Sequence, residues 1–328
     1  MKLKNICLLA SLFIFSTNSL FSDVIVPYGE GEGKVDYSNI NRFPELEEAL
    51  PYGPLSFRIV GDKTWVADSV GGKLIQFDKD GKFISEFSVL PKDVKAYTLD
   101  EDGLPDANIL IDDIAPVINS KGELEAWWIA DSCDNKLVKF SADGTPLAQI
   151  QDPDYGQLFR LEVGVGGHLF VADKITRKIF VYDSNGDFKS EQNWEWSGIA
   201  VSGQEDTLYR LIYFKEENKH ILVSTDVDGK VLKSVTLDVE MDDPELWWVD
   251  EEKQEAVITY NPDTGFEGEY IIVRVGLDGK VKASGKLPSP FVMNRFIDHN
   301  NSDNVFIGKC NYEEATKGNF EIVPFKMP

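Results

Sequence analysis

Apolar and polar residues alternate with a period of two over short runs along most of the chain. Asp-Gly or Asn-Gly dipeptides punctuate the runs: FDKDGKF at 77–83, FSADGTP at 140–146, YDSNGDF at 182–188, TDVDGKV at 225–231 and VGLDGKV at 275–281. Before the turn glycines Gly81, Gly144, Gly186, Gly229 and Gly279, the apolar sites include Ile75 and Phe77, Val138 and Phe140, and Phe180 and Tyr182. Two residues after them stand Phe83, Pro146, Phe188, Val231 and Val281. Both residues of an Asn-Gly or Asp-Gly pair tolerate positive φ, so each copy predicts a strand, a tight turn and a second strand.

Further strands lie upstream at fixed distance. TWVADS at 64–69, WWIADS at 127–132 and LFVADK at 169–174 place Ala67, Ala130 and Ala172 fourteen residues before their turn glycine. LSFRIV at 55–60, LFRLEV at 158–163 and SGIAVS at 197–202 supply one more strand to each unit. A four-stranded unit recurring every 40–50 residues or so is the sequence form of a propeller blade. One blade cannot bury both faces of its sheet, so the blades must close a ring. The five turns mark five blades, and NRFIDH at 294–299, VFIGKC at 305–310 and FEIVPF at 320–325 give a sixth with three strands. Its fourth strand is expected from DVIVP at 23–27, which would leave no free edge. The expected fold is all-β: a six-bladed β-propeller of four-stranded antiparallel blades, closed by an N-terminal strand. Residues 23–53 form the closing strand and lead-in, and 54–328 the ring, as a single domain.

WVADSVGGKLIQFDKDG, WIADSCDNKLVKFSADG and LFVADKITRKIFVYDSNG carry a family resemblance. The Val-Ala-Asp or Ile-Ala-Asp strand, the Lys-led apolar strand and the Asp/Asn-Gly turn resemble NHL-repeat propellers of the TolB-like/NHL superfamily. The pattern fades in the fourth and fifth units, and the sixth lacks the turn. The resemblance implies a ring with a central channel. NHL-like rings host protein binding, RNA binding, lactone hydrolysis and lyase chemistry, so the resemblance implies a fold and leaves the function open.

Residues 1–22 read as a cleavable secretory signal peptide: Lys2 and Lys4, an apolar run from Ile6 to Phe15, then small and polar residues. The run is about half the ~20 residues that span a bilayer, and no later stretch is long enough. The expected product begins near Asp23 and is exported, to the periplasm or outside the cell. The charge is −23 over the 328 residues, from 33 basic and 56 acidic side chains. That excludes nucleic acid or an anionic membrane as the main partner, since both need clustered positive charge. A monomer is expected, because a closed ring has no edge seeking a partner. Cys133 and Cys310 fall in blades that are not neighbours, which favours two unbridged thiols over a disulfide.

Candidate chemistry concentrates where the innermost strands line the channel. Arg58, Asp112, Asp113, Arg160, Glu162, Trp248 and Arg295 are the candidate binding residues. Arg58 and Arg160 each follow a Phe in strands that look equivalent. Arginines converging in an acidic protein should pair with Asp112, Asp113 and Glu162, or grip an anionic ligand. Asp68, Asp131, Asp173 and Glu216 recur after the second strand and are expected to cap their own hairpins. The Asp-x-Asp-Gly turns lack the remaining ligands of a calcium loop. His168, His220 and His299 are scattered, and there is no GxSxG, HExxH or phosphate loop.

The insertion Leu90–Asn108, NWEWS at 193–197 and EMDDPELWW at 240–248 should share the face around the channel mouth. There Trp194, Trp196, Trp247 and Trp248 could form an aromatic platform or could pack between blades. The first reading is a non-enzymatic scaffold, needing no cofactor, that binds a protein, glycan or small molecule at one face. The alternative is a calcium-dependent hydrolase or lyase, with Asp112, Asp113, Glu162, Asn294 and Asp298 as scattered ligands in the channel.

Overall fold

The computed structural model describes residues 21–43, 51–101, 105–152, 154–262, 269–288, 293–301, 304–312, 314–315 and 318–327. Of the segment 1–22 expected to be a leader, only Phe21 and Ser22 are among the described residues. The chain forms six four-stranded antiparallel sheets arranged as a six-bladed β-propeller. The innermost strands are Ser56–Val60, Ile111–Ile118, Leu158–Val163, Ile199–Val201, Glu245–Asp250 and Ile297–Asn301, for blades one to six. Within blades one to five, each strand pairs with the next in sequence, so the local alternation of the chain suffices to build the sheet. Blade six is closed by Val24–Pro27, which pairs antiparallel with Asn319–Phe325, as expected from the sequence.

The turn glycines carry the positive φ that the hairpins demand. At Gly81 and Gly279 the requirement is double. Their φ values are 75° and 88°, and an added Cβ would lie 2.4 Å from the Asp23 carbonyl oxygen and 2.2 Å from that of Thr236. Asp78, Asp183 and Asp226 accept backbone N–H bonds from the residues two and four positions on, in the manner of hairpin caps.

The recurring Asp after the second strand ties a blade to its neighbour's connection. Asp173 is fully buried, and one oxygen accepts from the Ile175 and Thr176 amides and the Thr176 hydroxyl. The other accepts from the Gly156 and Gln157 amides of the preceding connection. Asp68 likewise accepts from Gly71 in its own hairpin and from Asp36 in the lead-in. Asp131 accepts from Cys133 and Leu110. Glu216 is exposed in its hairpin and takes no such part. No disulfide joins Cys133 and Cys310.

The core is layered between blades. Trp65 of blade one meets Trp127 of blade two at 5.1 Å between ring centroids. Trp247 of blade five meets Phe296, at the entry to blade six, at 4.8 Å. The insertion forms a small hairpin, Tyr97–Leu99 with Pro105–Ala107. It docks on the lead-in: the Tyr97 ring packs on Phe43 at 5.4 Å, and the Tyr97 hydroxyl accepts from Arg42 at 2.6 Å. Among the described residues, no helix is long and apolar enough to cross a membrane.

Candidate functional site: a plugged channel beside an open cleft

Three innermost strands depart from strict pairing, in blades two and three at the same place beside the recurring Asp and in blade five further along the strand. Asp112, Phe159 and Trp247 are each the extra residue of a bulge, skipped between Ile111 and Asp113, Leu158 and Arg160, and Leu246 and Trp248. A bulge re-aims the side chains on either side of it. One consequence is that Arg160 pairs with Ala172, whereas Arg58 pairs with Trp65. In the frame of the repeat, Arg160 is therefore the counterpart of Ser56, and Arg58 that of Glu162. The shared Phe-Arg dipeptide does not mark equivalent positions. Both arginines still reach the channel, because the offset is two residues and preserves the face.

Arg295 and Asp113 form the centre of the channel. Arg295 is 1% exposed and Asp113 is 0% exposed. Arg295 donates through Nε and Nη2 to the two Asp113 oxygens at 2.9 and 2.7 Å, and through Nη2 to Glu162 at 2.9 Å. Asp113 also accepts from the Ser56 hydroxyl and the Leu161 amide. Arg58 pairs with Glu162 at 3.2 Å and Asp298 at 3.8 Å, and donates to the carbonyls of Ile114 and Leu161. Burial alone would raise the Asp113 carboxyl, but the Arg295 charge, helped by Arg58 and Arg160, holds it well below the ordinary carboxylate range. Burial works against the Arg295 cation too, and Asp113 and Glu162 outweigh it and raise its pKa. The network thus bolts blades one, two, three and six together across the channel.

Two neighbours are less well served. Arg160 is 1% exposed, pairs with Glu245 and donates to the Asn294 carbonyl at 2.8 Å. It stands 4.6 Å from the centroid of the Trp247 ring. Its Nε and Nη1 have no hydrogen-bond partner. Burial, then repulsion from Arg295, lowers its pKa below the usual arginine range. Asp112 accepts from the Asn294 amide at 2.9 Å, while its Oδ2 is buried without a partner. Burial pushes its carboxyl up to about 6. Trp248 does not join this network. It is buried and stacks on His299 at 4.3 Å, and the bulge makes Trp247 the tryptophan beneath Arg160.

Beside the channel, on the face of the outer-to-inner connections, a cleft of about 1330 Å³ opens over blades three to five. Glu195 and Trp196 come from one connection, Glu240 to Glu245 from the next, and Tyr213, Asn218 and His220 from the hairpin between them. Of the four tryptophans expected on this face, only Trp196 presents its ring, at 51% exposure; Trp194, Trp247 and Trp248 are buried between blades. Trp196 holds a left-handed backbone, φ 57°, and its indole donates to the Lys174 carbonyl at 2.8 Å. None of the described residues of the insertion Leu90–Asn108 lines the cleft.

His220 is 7% exposed and lies against Tyr213, with ring centroids 5.1 Å apart and the planes tilted by 41°. Burial lowers its pKa against the opposing charges of Glu195 and Asp242. In the sequence His220 is one of three scattered histidines, and nothing local marks it or Tyr213 as lining a cleft. The acidic cluster EMDD just before an inner strand is the one sequence signal that could have located the rim.

Among the described residues, no group of three or more His, Cys, Asp or Glu is placed to hold a metal. The channel carboxylates proposed as calcium ligands do not suit that role: Asp113, Glu162 and Asp298 are engaged by arginine. Calcium takes six to eight oxygens, roughly, and a guanidinium already in contact repels it.

No family model matches the chain, and no curated protein matches it in sequence. Among solved structures, it is similar to selenomethionine-substituted virginiamycin B lyase from Staphylococcus aureus, at 15% identity and a TM-score of 0.48 over 84% of this chain and 85% of that one. A streptogramin B lyase structure aligns at 16% identity and a TM-score of 0.48, over 82% of this chain and 92% of that one. The Dos1 propeller aligns at 12% identity and a TM-score of 0.48, over 89% of this chain and 70% of that one. At these identities the likeness is one of fold alone.

Proposed function

We propose that the protein is an exported, non-enzymatic binding propeller that takes a protein, glycan or small-molecule ligand in the cleft over blades three to five. The carrying observation is the division of labour around the channel mouth. The buried arginines and carboxylates largely satisfy one another, whereas the adjacent cleft is open and displays Trp196 and Tyr213, 51% and 45% exposed. Large rings held on a rigid frame give contact area at little entropic cost, which suits recognition. Export rests on the leader-like residues 1–22. A calcium-dependent hydrolase or lyase draws support from one group, Asp112, whose raised pKa and unpartnered oxygen would suit an acid or base.

The test is a thermal-unfolding screen of residues 23–328 against peptides, glycans and sugar lactones, each with EDTA and with calcium. A ligand that binds only the folded state adds about 2.7 kcal/mol of stability at 100 times its Kd by mass action, and so raises the midpoint. Hits independent of calcium, abolished by Trp196→Ala and recovered chemically unchanged, are expected. Hits that need calcium and are turned over would replace this reading with the enzymatic one. Hits untouched by Trp196→Ala would move the site away from the cleft.

A further inference from the structure

We infer that the cleft takes a cationic peptide segment, seating a lysine or arginine side chain between Trp196 and the rim carboxylates Glu240, Asp242 and Asp243, above His220. The inference rests on the binding reading just given and specifies its ligand.

Charge is the first argument. Glu240, Asp242 and Asp243 are exposed on one rim, and among the described residues none has an ion-pair partner. The cation lining the cleft, Lys174, has its ammonium committed 4.8 Å above the Phe159 ring. Among the described residues, no cation is paired with the rim. The −23 charge of the whole chain adds a field that draws cations toward it.

His220 is the second argument, and it is independent of the rim. Its ring is more than nine-tenths buried, lines the cleft, and makes no hydrogen bond through either nitrogen among the described residues. Because burial disfavours its charged form, the imidazole is neutral near pH 7 and keeps one acceptor nitrogen. Neither ring nitrogen is sealed from solvent, so the acceptor faces the open cleft, where a ligand N–H can take the place of water. An ammonium or guanidinium supplies such a donor; a carboxylate supplies none.

The third argument is the ring at the opposite wall. Trp196 is 51% exposed and already takes the chain's own Arg177 guanidinium 4.7 Å from its centroid, so the ring is placed to meet a cation and a ligand must use the indole surface that Arg177 leaves open. The fourth is size. Small-molecule sites run to about 1,000 Å³, and this cleft is about 1330 Å³ and open along the face. An extended segment fills such a trough better than a lone amine.

The experiment is fluorescence anisotropy on residues 23–328 with a labelled extended peptide of alternating lysine and glycine. An aspartate–glycine counterpart and spermidine serve as competitors. Tight, salt-sensitive binding of the lysine peptide is expected, with no competition from the acidic peptide and only weak competition from spermidine. The triple variant Glu240→Gln, Asp242→Asn, Asp243→Asn should weaken it at least about tenfold. A charge-matched triple on the opposite face, Asp80→Asn, Asp228→Asn and Asp278→Asn, should leave it within about twofold. Trp196→Ala should weaken it without altering the melting midpoint.

Equal losses in the two triples would reduce the effect to overall charge and overturn the inference. Spermidine binding as tightly as the peptide would overturn it in favour of a small polyamine. No binding of the lysine peptide, with a neutral or acidic ligand that is lost in Trp196→Ala, would overturn it while leaving the binding reading intact. If no ligand of any class responds to Trp196→Ala, both fall.

Discussion

The channel and the cleft adjoin at Glu245, which reaches Arg160 on one side and lines the open volume on the other. In the channel, buried Arg295, Arg58, Asp113 and Asp298 and half-buried Glu162 pair across four blades. In the cleft, Glu240, Asp242 and Asp243 stay in water on one rim. The same residue types thus do different work. A buried charge must be paired where it lies or it opposes folding. An exposed one contributes little to folding and remains free to meet a partner. The comparison teaches that the arginine-rich channel, which draws the eye in the sequence, reads as a fastening, and the acidic rim beside it as the recognising surface.

The largest effect that can test this division is in the channel. Arg295→Met leaves Asp113 fully buried without its bidentate partner and should destabilise the protein by about 3–5 kcal/mol. Arg160→Met should cost distinctly less, on the order of 1–2 kcal/mol. It removes a cation with two unbonded N–H groups and replaces it with an apolar chain against Trp247. Urea unfolding followed by tryptophan fluorescence measures both. Equal losses would mean that Arg160 is as integral to the fastening as Arg295 and would blur the boundary between channel and cleft.

The blades were legible in the sequence because each is built from local alternation and an Asp-Gly turn, with pairing only to the next strand. Closure by 23–27 was legible for a negative reason: blade six lacked a strand. The channel was partly legible, since arginine on an inner strand is conspicuous. The details failed at the bulges. Strict alternation points to Trp248 and equates Arg58 with Arg160, whereas the extra residues Phe159 and Trp247 shift the frame. A bulge leaves no reliable mark on composition, so no reading of period two can place it. The cleft was legible only as three segments sharing a face. That they meet around His220 depends on the curvature of the ring, which is a property of the assembled blades.

A second contrast lies within the buried carboxyls and is read by pH. Asp113 has a folded pKa below its unfolded value of about 3.9, so its contribution is present above about pH 4 and is lost as pH falls through the folded value. Asp112 has the opposite sign. Burial raises it to about 6, so the favourable protonated form is complete below the unfolded pKa, and its contribution is lost as pH rises toward 6. Asp68, raised by burial to about 7, acts in the same direction over an overlapping window. Stability should therefore decline from about pH 4 to about pH 7, and Asp68→Asn with Asp112→Asn should flatten that decline. A decline that survives both substitutions would assign it to other groups and would leave Asp112 an ordinary carboxyl.

The smallest expected effect is the most discriminating. Asp242→Asn and Asp243→Asn change exposed side chains with no ion pair among the described residues, so each should alter stability by no more than about 0.5 kcal/mol. Asp243 holds φ 43°, a left-handed backbone that asparagine tolerates as readily as aspartate, so the substitution adds no strain. Chemical denaturation of the single variants checks this directly. A loss of a kilocalorie or more would show that the rim carboxylates support their connection after all, as Asp173 does in its own blade. An unchanged midpoint would leave them with no role in the fold, and a charge kept in the open beside an unbonded imidazole then has recognition as its remaining physical explanation.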